Sequence, residues 1–100
     1  MKCQKCRKEF EEKDLHESHD IPKYLGGTDK DGRHLLCKTH HELYDKRILI
    51  KCLNLVGEKL FDDSEIIGWQ KELSRQPESL KKEFRKIAKS IKEDFFNGRF

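Results

Sequence analysis

The chain is short of the apolar material from which a conventional core is built. Only 34% of its 100 residues are hydrophobic, while 41% are charged. So modest a core gains from an added staple such as a bound metal. There is no run approaching the ~20 apolar residues of a membrane span, so no membrane partner is expected. The opening residues, Met1 to Cys6, lack the apolar stretch of a secretory signal. The expectation is a cytoplasmic protein with reduced cysteines. No internal repeat or low-complexity tract is present. The apolar residues are still too regularly spaced for a disordered chain.

That spacing predicts an α+β fold. Residues 9–14 are too polar for a core and lead into a short strand over residues 15–19. Ile21-Pro22 ends it, since proline cannot donate to a ladder. Residues 23–34 read as a loop, with Gly26-Gly27 and Asp31-Gly32 as turn signals. His34-Leu35-Leu36 suits a second strand. Thr39, with Glu42 three residues later, has the spacing of a capping box and opens a helix over residues 40–57. Leu43, Arg47, Ile50 and Asn54 share one face of it, and Leu49, Cys52, Leu53 and Val56 another. Gly57 fits its C-terminal stop. Asp63 or Ser64 is expected to cap a helix of residues 65–75 with the apolar stripe Ile66, Trp69 and Leu73. Pro77 suits the first turn of a last helix, residues 78–96, whose Leu80, Phe84, Ile87, Ile91 and Phe95 keep helical spacing. Asn97-Gly98 ends it. Residues 1–60 are read as one domain and residues 61–100 as a helical extension packing on it. The apolar stripes of the last two helices offer a surface for a homodimer.

Charge is unevenly spread. The chain has a net charge of +3, but the stretch 75–92 holds seven Lys/Arg against two Asp/Glu. A locally basic helix is a phosphate-contacting surface, with Lys82, Arg85 and Lys89 as candidates. Such residues also serve simply as a solvated face.

The cysteines point to a metal. Cys3-x-x-Cys6 and Cys37-x-x-His40 are two pairs with two-residue spacers. Each spacer lets both donors reach one tetrahedral ion, with Zn–S near ~2.3 Å. In a reduced compartment a CxxC pair reads as metal-binding before disulfide, and a redox pair is the alternative. A zinc ion here would close the segment between the pairs. Cys52, mid-helix on an apolar face, reads as a small buried hydrophobe.

Between the pairs lie His19-Asp20-Ile21-Pro22, Gly26-Gly27, and then Leu36-Cys37-Lys38-Thr39-His40-His41. In order and spacing this run resembles the HNH, or ββα-metal (His-Me finger), endonucleases that carry a zinc knuckle. The resemblance covers residues 3–47. It implies a small ββα-metal core with the CxxC/CxxH knuckle, followed here by two C-terminal helices. It also implies a metal-dependent endonuclease that hydrolyses phosphodiester bonds in DNA. His19 falls on the general base, a role its near-neutral pKa suits. His41 falls on the helix ligand of a catalytic divalent ion such as Mg²⁺, Mn²⁺ or Ni²⁺, and Asp45, one turn on, is a further ligand candidate. Asp45 read without the resemblance is a solvated residue or a partner of Lys46 or Lys38. Ser18 stands where the family carries an Asp or His ligand. His16, on the same side of the strand, and Glu17 are substitutes for it. Otherwise His16 and His34 read as surface residues or as residues that support the site from behind its ligands. The family's central asparagine falls at Gly32, so Asp31, Arg33 or His34 is expected to orient the base. Lys23, Arg33 and Arg47 are candidate phosphate contacts. Two other classes of function are consistent with the chain. One is a non-catalytic zinc module that binds nucleic acid. The other is an interaction protein whose knuckle only holds helices together.

Overall fold

A computed structural model describes residues 1–97. Strands β1 (Leu15–His19) and β2 (Arg33–Cys37) form a two-stranded antiparallel sheet, with Leu15 opposite Cys37 and His19 opposite Arg33. Along β2 the side chains of His34 and Leu36 are buried, as expected of a sheet with one covered face. Three helices follow: α1 (Lys38–Leu55), α2 (Ile66–Ser74) and α3 (Glu78–Phe96). None of the described helices is long and apolar enough to cross a membrane. The α+β class agrees with the pattern of the sequence. Gly98, expected at the end of α3, lies outside the described residues.

Helix starts differ from expectation in ways that have local causes. α1 begins at Lys38, so its N-cap is Cys37 and Thr39 lies inside the first turn. The chain turns helical directly after Cys37, which sets Cys37 and His40 one turn apart on the same side. The cap before α2 is Asp62, one residue ahead of the expected position. Its side chain accepts from the Ser64 N–H, while Glu65 Oε1 accepts from the Asp62 N–H, a complete capping box. A 3₁₀ turn, Asp63–Glu65, then leads into α2. Pro77 is the N-cap of α3 rather than a residue of its first turn.

α1 buries a single stripe, Tyr44, Ile48, Leu49, Cys52 and Leu53. The expected face led by Leu43 is not buried; Leu43 itself is 38% exposed, because α3 covers only the edge of that face near Ile91. α3 packs on α1 and on the 3₁₀ turn Lys23–Leu25, and contributes Phe84, Ala88, Ile91 and Phe95 to the core. Its apolar stripe is therefore covered by its own chain. α2 rests on the Lys23–Leu25 turn and leaves Ile67 exposed.

This distribution sets the cost of truncation. Phe84→Ala removes a fully buried ring and is expected to cost ~3–5 kcal/mol. Phe61→Ala, at a residue 83% exposed, should fall within about 0.5 kcal/mol of the parent. Urea unfolding of both variants measures the contrast.

Candidate metal centre and the adjoining cleft

The N-terminal residues fold into a small knuckle. Lys2 and Glu9 form an antiparallel bridge, the Cys3 N–H donates to the Lys8 carbonyl at 3.2 Å, and the Arg7 N–H donates to the Cys3 carbonyl at 3.0 Å. Arg7 takes φ +64°, a left-handed conformation that costs a non-glycine residue roughly 1–2 kcal/mol. Gln4 docks the knuckle on β2: its N–H donates to the Leu35 carbonyl at 2.9 Å and its Oε1 accepts from the Leu35 N–H at 2.6 Å. Lys5 reaches the other way, donating to the Phe95 carbonyl and lying 4.8 Å from the centre of the Phe95 ring.

This docking brings the two ligand pairs together. One donor atom from each of Cys3, Cys6, Cys37 and His40 lies within 4.8 Å of the others. His40 Nδ1 is 3.2 Å from Cys37 Sγ and 3.9 Å from Cys3 Sγ. Donors ~2.0–2.3 Å from a common tetrahedral centre sit roughly 3.5–3.8 Å apart, so these spacings straddle the expected edge. The four can hold a metal ion, and three sulfurs with one imidazole suit a soft one. Burial raises the Cys3 thiol, but the N–H groups of Cys37, Cys6 and Lys5 outweigh it and bring it down to about 6. At Cys37 burial wins, with Cys3 and Cys6 adding to it, and its thiol is raised. A divalent cation resolves this conflict among neighbouring sulfurs by deprotonating them together. Cys52 stands outside the group, fully buried, its thiol pushed up to about 12 by burial. No other convergence of three such donors occurs among the described residues.

A separate cleft of about 210 Å³ opens between the end of β1, the turn that follows it, Asp45 of α1 and Gln70 of α2. Ser18, His19, Lys23 and Asp45 line it. Gly27 packs close against the Ile21 backbone, which a Cβ there would run into. His19 Nε2 lies 2.6 Å from Asp29 Oδ1. The same oxygen accepts from Arg33 Nε at 3.1 Å and Nη2 at 2.6 Å, and Arg33 Nη1 donates to Glu17 at 2.7 Å. The hydrogen bonds from Arg33 and His19 hold the Asp29 carboxyl below its usual range. The residue that fixes His19 is therefore Asp29, not Asp31, Arg33 or His34. Asp31 instead accepts from Thr28 in a capping box. The readable signal for Asp29 was its place four residues before Arg33, the spacing of an ion pair on one turn.

On the α1 side, His41 Nε2 is 3.3 Å from Asp45 Oδ2. The His16 ring stacks on His41 with centroids 5.4 Å apart. Burial raises the Asp45 carboxyl, with His41 and His34 acting against that. Lys46, weighed as an Asp45 partner, pairs with Asp63 at 2.8 Å. His41 thus contacts both His16 and Asp45, but these three donors do not converge on one point. Asp45 shares the cleft with Ser18 and His19, and neither His16 nor His41 lines it. The cationic candidates separate. Lys23, Lys82 and Lys89 are exposed. Arg33 is held by Asp29 and Glu17, and Arg85 by Glu78 and the Leu25 carbonyl. Arg47 is half-buried at the α1 edge. No protein-family profile, curated protein or solved structure matches the chain.

A buried polar hub, absent from the sequence reading, supports the cleft from behind. Asp20 directly follows β1 and is 3% exposed. Its Oδ1 accepts from His34 Nδ1 at 2.6 Å and its Oδ2 from Lys92 Nζ at 2.7 Å. Its carbonyl accepts from the Tyr44 hydroxyl at 2.6 Å, and its N–H donates to the Gly32 carbonyl at 3.0 Å. Gly32, at φ +106°, leaves room for this carboxylate where a Cβ would not. His34, expected at the surface or in support of the site, is 4% exposed, because its ring is clamped between Asp20 and the edge of Tyr44.

Two outcomes follow from these environments. Purified protein should carry one zinc per chain by elemental analysis; Cys6→Ser should lose it and Cys52→Ser should keep it. Burial lowers the His34 pKa in spite of Asp20, so below about 6.5 the unfolded chain binds the proton more readily. Stability should therefore fall as pH drops through that value. The urea midpoint of a His34→Gln variant, followed over the same range with zinc in excess, should fall less steeply.

Proposed function

We propose that this chain is a metal-dependent, HNH-type endonuclease that hydrolyses phosphodiester bonds in DNA, built on a ββα-metal core. The observation that carries the reading is the shared cleft. His19 and Asp45 line it, Asp45 lies 3.3 Å from His41, and the donors stand in the order β1, β2, α1 beside a separate Cys₃His centre.

Each residue then has a task. The Asp29 carboxylate accepts a hydrogen bond from His19 Nε2–H, which leaves Nδ1 with the lone pair. Nδ1 takes the proton from the attacking water. His41 and Asp45 would hold the catalytic divalent ion, with Ser18 and His16 as lesser contributors; Mg²⁺ is commonly held by one or two side chains together with water and phosphate. When bound, that ion stabilises charge on the phosphate and the leaving oxygen. Cys3, Cys6, Cys37 and His40 would hold a structural Zn²⁺, since four protein donors leave no open position for chemistry. Lys23 at the cleft, and Lys82 and Lys89 on α3, supply phosphate contacts that carry no sequence information.

One observation favours a second reading, a non-catalytic zinc module that binds nucleic acid. Ser18 offers a hydroxyl where the resembled family has a carboxylate or imidazole. Plasmid nicking in Mg²⁺, Mn²⁺ or Ni²⁺ separates the two. The nuclease reading expects nicking by the parent, a loss of about 10²–10⁴-fold in His19→Ala, and unchanged retention of DNA in a gel shift. Retention without nicking by the parent would favour the second reading.

A further inference from the structure

Away from the cleft, the C-terminal end of α1 and one side of α2 enclose a groove of about 710 Å³. Its floor is apolar: Val56, Trp69 and Leu73. Its rim is acidic: Glu58, Glu65 and Glu72. Among the described residues, no basic one lines it. Glu65 is committed to the N–H groups of Phe61 and Asp62. Glu72 has only Arg75 at 3.9 Å, an exposed pair of the kind that holds little energy.

Gly68 sits in the wall of this groove, inside α2. A glycine within a helix costs roughly 1 kcal/mol relative to alanine. Nothing among the described residues explains it, because a Cβ added there would meet none of their atoms within 4 Å. What the missing side chain does is keep the groove open to the close approach of another backbone.

We infer that this groove docks a cationic, amphipathic helix of a partner protein. An apolar row on that helix would seat on Val56, Trp69 and Leu73, with lysine or arginine on the rim carboxylates, the helix-in-groove mode of recognition. Trp69 is half-buried and offers both an apolar surface and a ring face for a cation. Nucleic acid and anionic lipid are disfavoured by the sign of the rim. The inference rests on the groove alone and stands apart from the nuclease reading.

Trp69 is the chain's single tryptophan, so its emission reports the site. The probe is a tryptophan-free helix of about 18 residues, long enough to be helical, with a leucine face and a lysine face. Its counterpart carries glutamate in place of lysine. The lysine peptide should shift Trp69 emission saturably, and added salt should weaken the effect. The glutamate peptide should not shift it. Gly68→Leu should weaken binding by at least roughly tenfold, ~1.4 kcal/mol, without lowering the melting temperature. Glu72→Lys should weaken it as well. Equal response to both peptides, no response to either, or unchanged binding by Gly68→Leu overturns the inference. So does a concentration-dependent dimer in sedimentation that Gly68→Leu dissolves, since a second copy would then be the occupant.

Discussion

The carboxylate of Asp20 is the point on which the arrangement of elements turns. Its two oxygens reach β2 through His34 and α3 through Lys92, and the residue's backbone carbonyl and N–H reach α1 through Tyr44 and the β1–β2 connection through Gly32. A buried carboxylate is costly unless its oxygens are met, and here both are. Breaking such a pair from one side costs more than forming it gains. The hub therefore acts less as a source of stability than as a penalty on every other placement of these four elements. The strand end that carries His19 is held in register by its immediate neighbour.

The Cys/His cluster that can hold a metal and the hub divide the work of a chain with a small core. The knuckle is positioned by Gln4 on β2 and Lys5 on α3, so the ligand pairs meet through sheet edge and helix end together. Much of this was legible in the sequence, because ligand spacing and helical periodicity are local properties. The bounds of β1 and α3 and the four convergent donors follow from neighbours a few residues apart. Asp20 was not legible, and Asp29 only through its spacing from Arg33. Each looks like an ordinary loop carboxylate, and its meaning lies in partners on other elements. The burial of His34 was not legible for the same reason, since a lone histidine in a strand carries no mark of it. The α1 cap was misjudged because Thr39 has the better capping side chain, while the demands on Cys37 and His40 moved the helix start forward.

The surface separates two electrostatic characters that the net charge of +3 conceals. α3 presents exposed lysines, whereas the far end of α1 and the side of α2 present carboxylates over an apolar floor. Arg33 and Arg85 appear in the sequence as part of the positive character, yet each is engaged by a carboxylate. The long-range attraction for an anionic polymer therefore falls mainly on lysines, whose charges sit on flexible stems and impose little geometry. The two characters lie on different helices, and a ligand drawn to one is not drawn to the other.

α3 is stitched to the N-terminal half by three bonds of very long sequence separation, one of them the Lys92–Asp20 pair. Lys5 meets Phe95 across 90 positions, and Arg85 meets Leu25 across 60. Contacts of that span are slow to find, because the chain must close the loop before the contact repays it. The ligands Cys3 to His40 all emerge from the ribosome before α3 does. Metal capture during synthesis would close the first loop early and leave α3 a preformed surface on which to dock. Folding from the full-length, metal-free chain would lack that order, and its rate would be set by the search for these distant stitches.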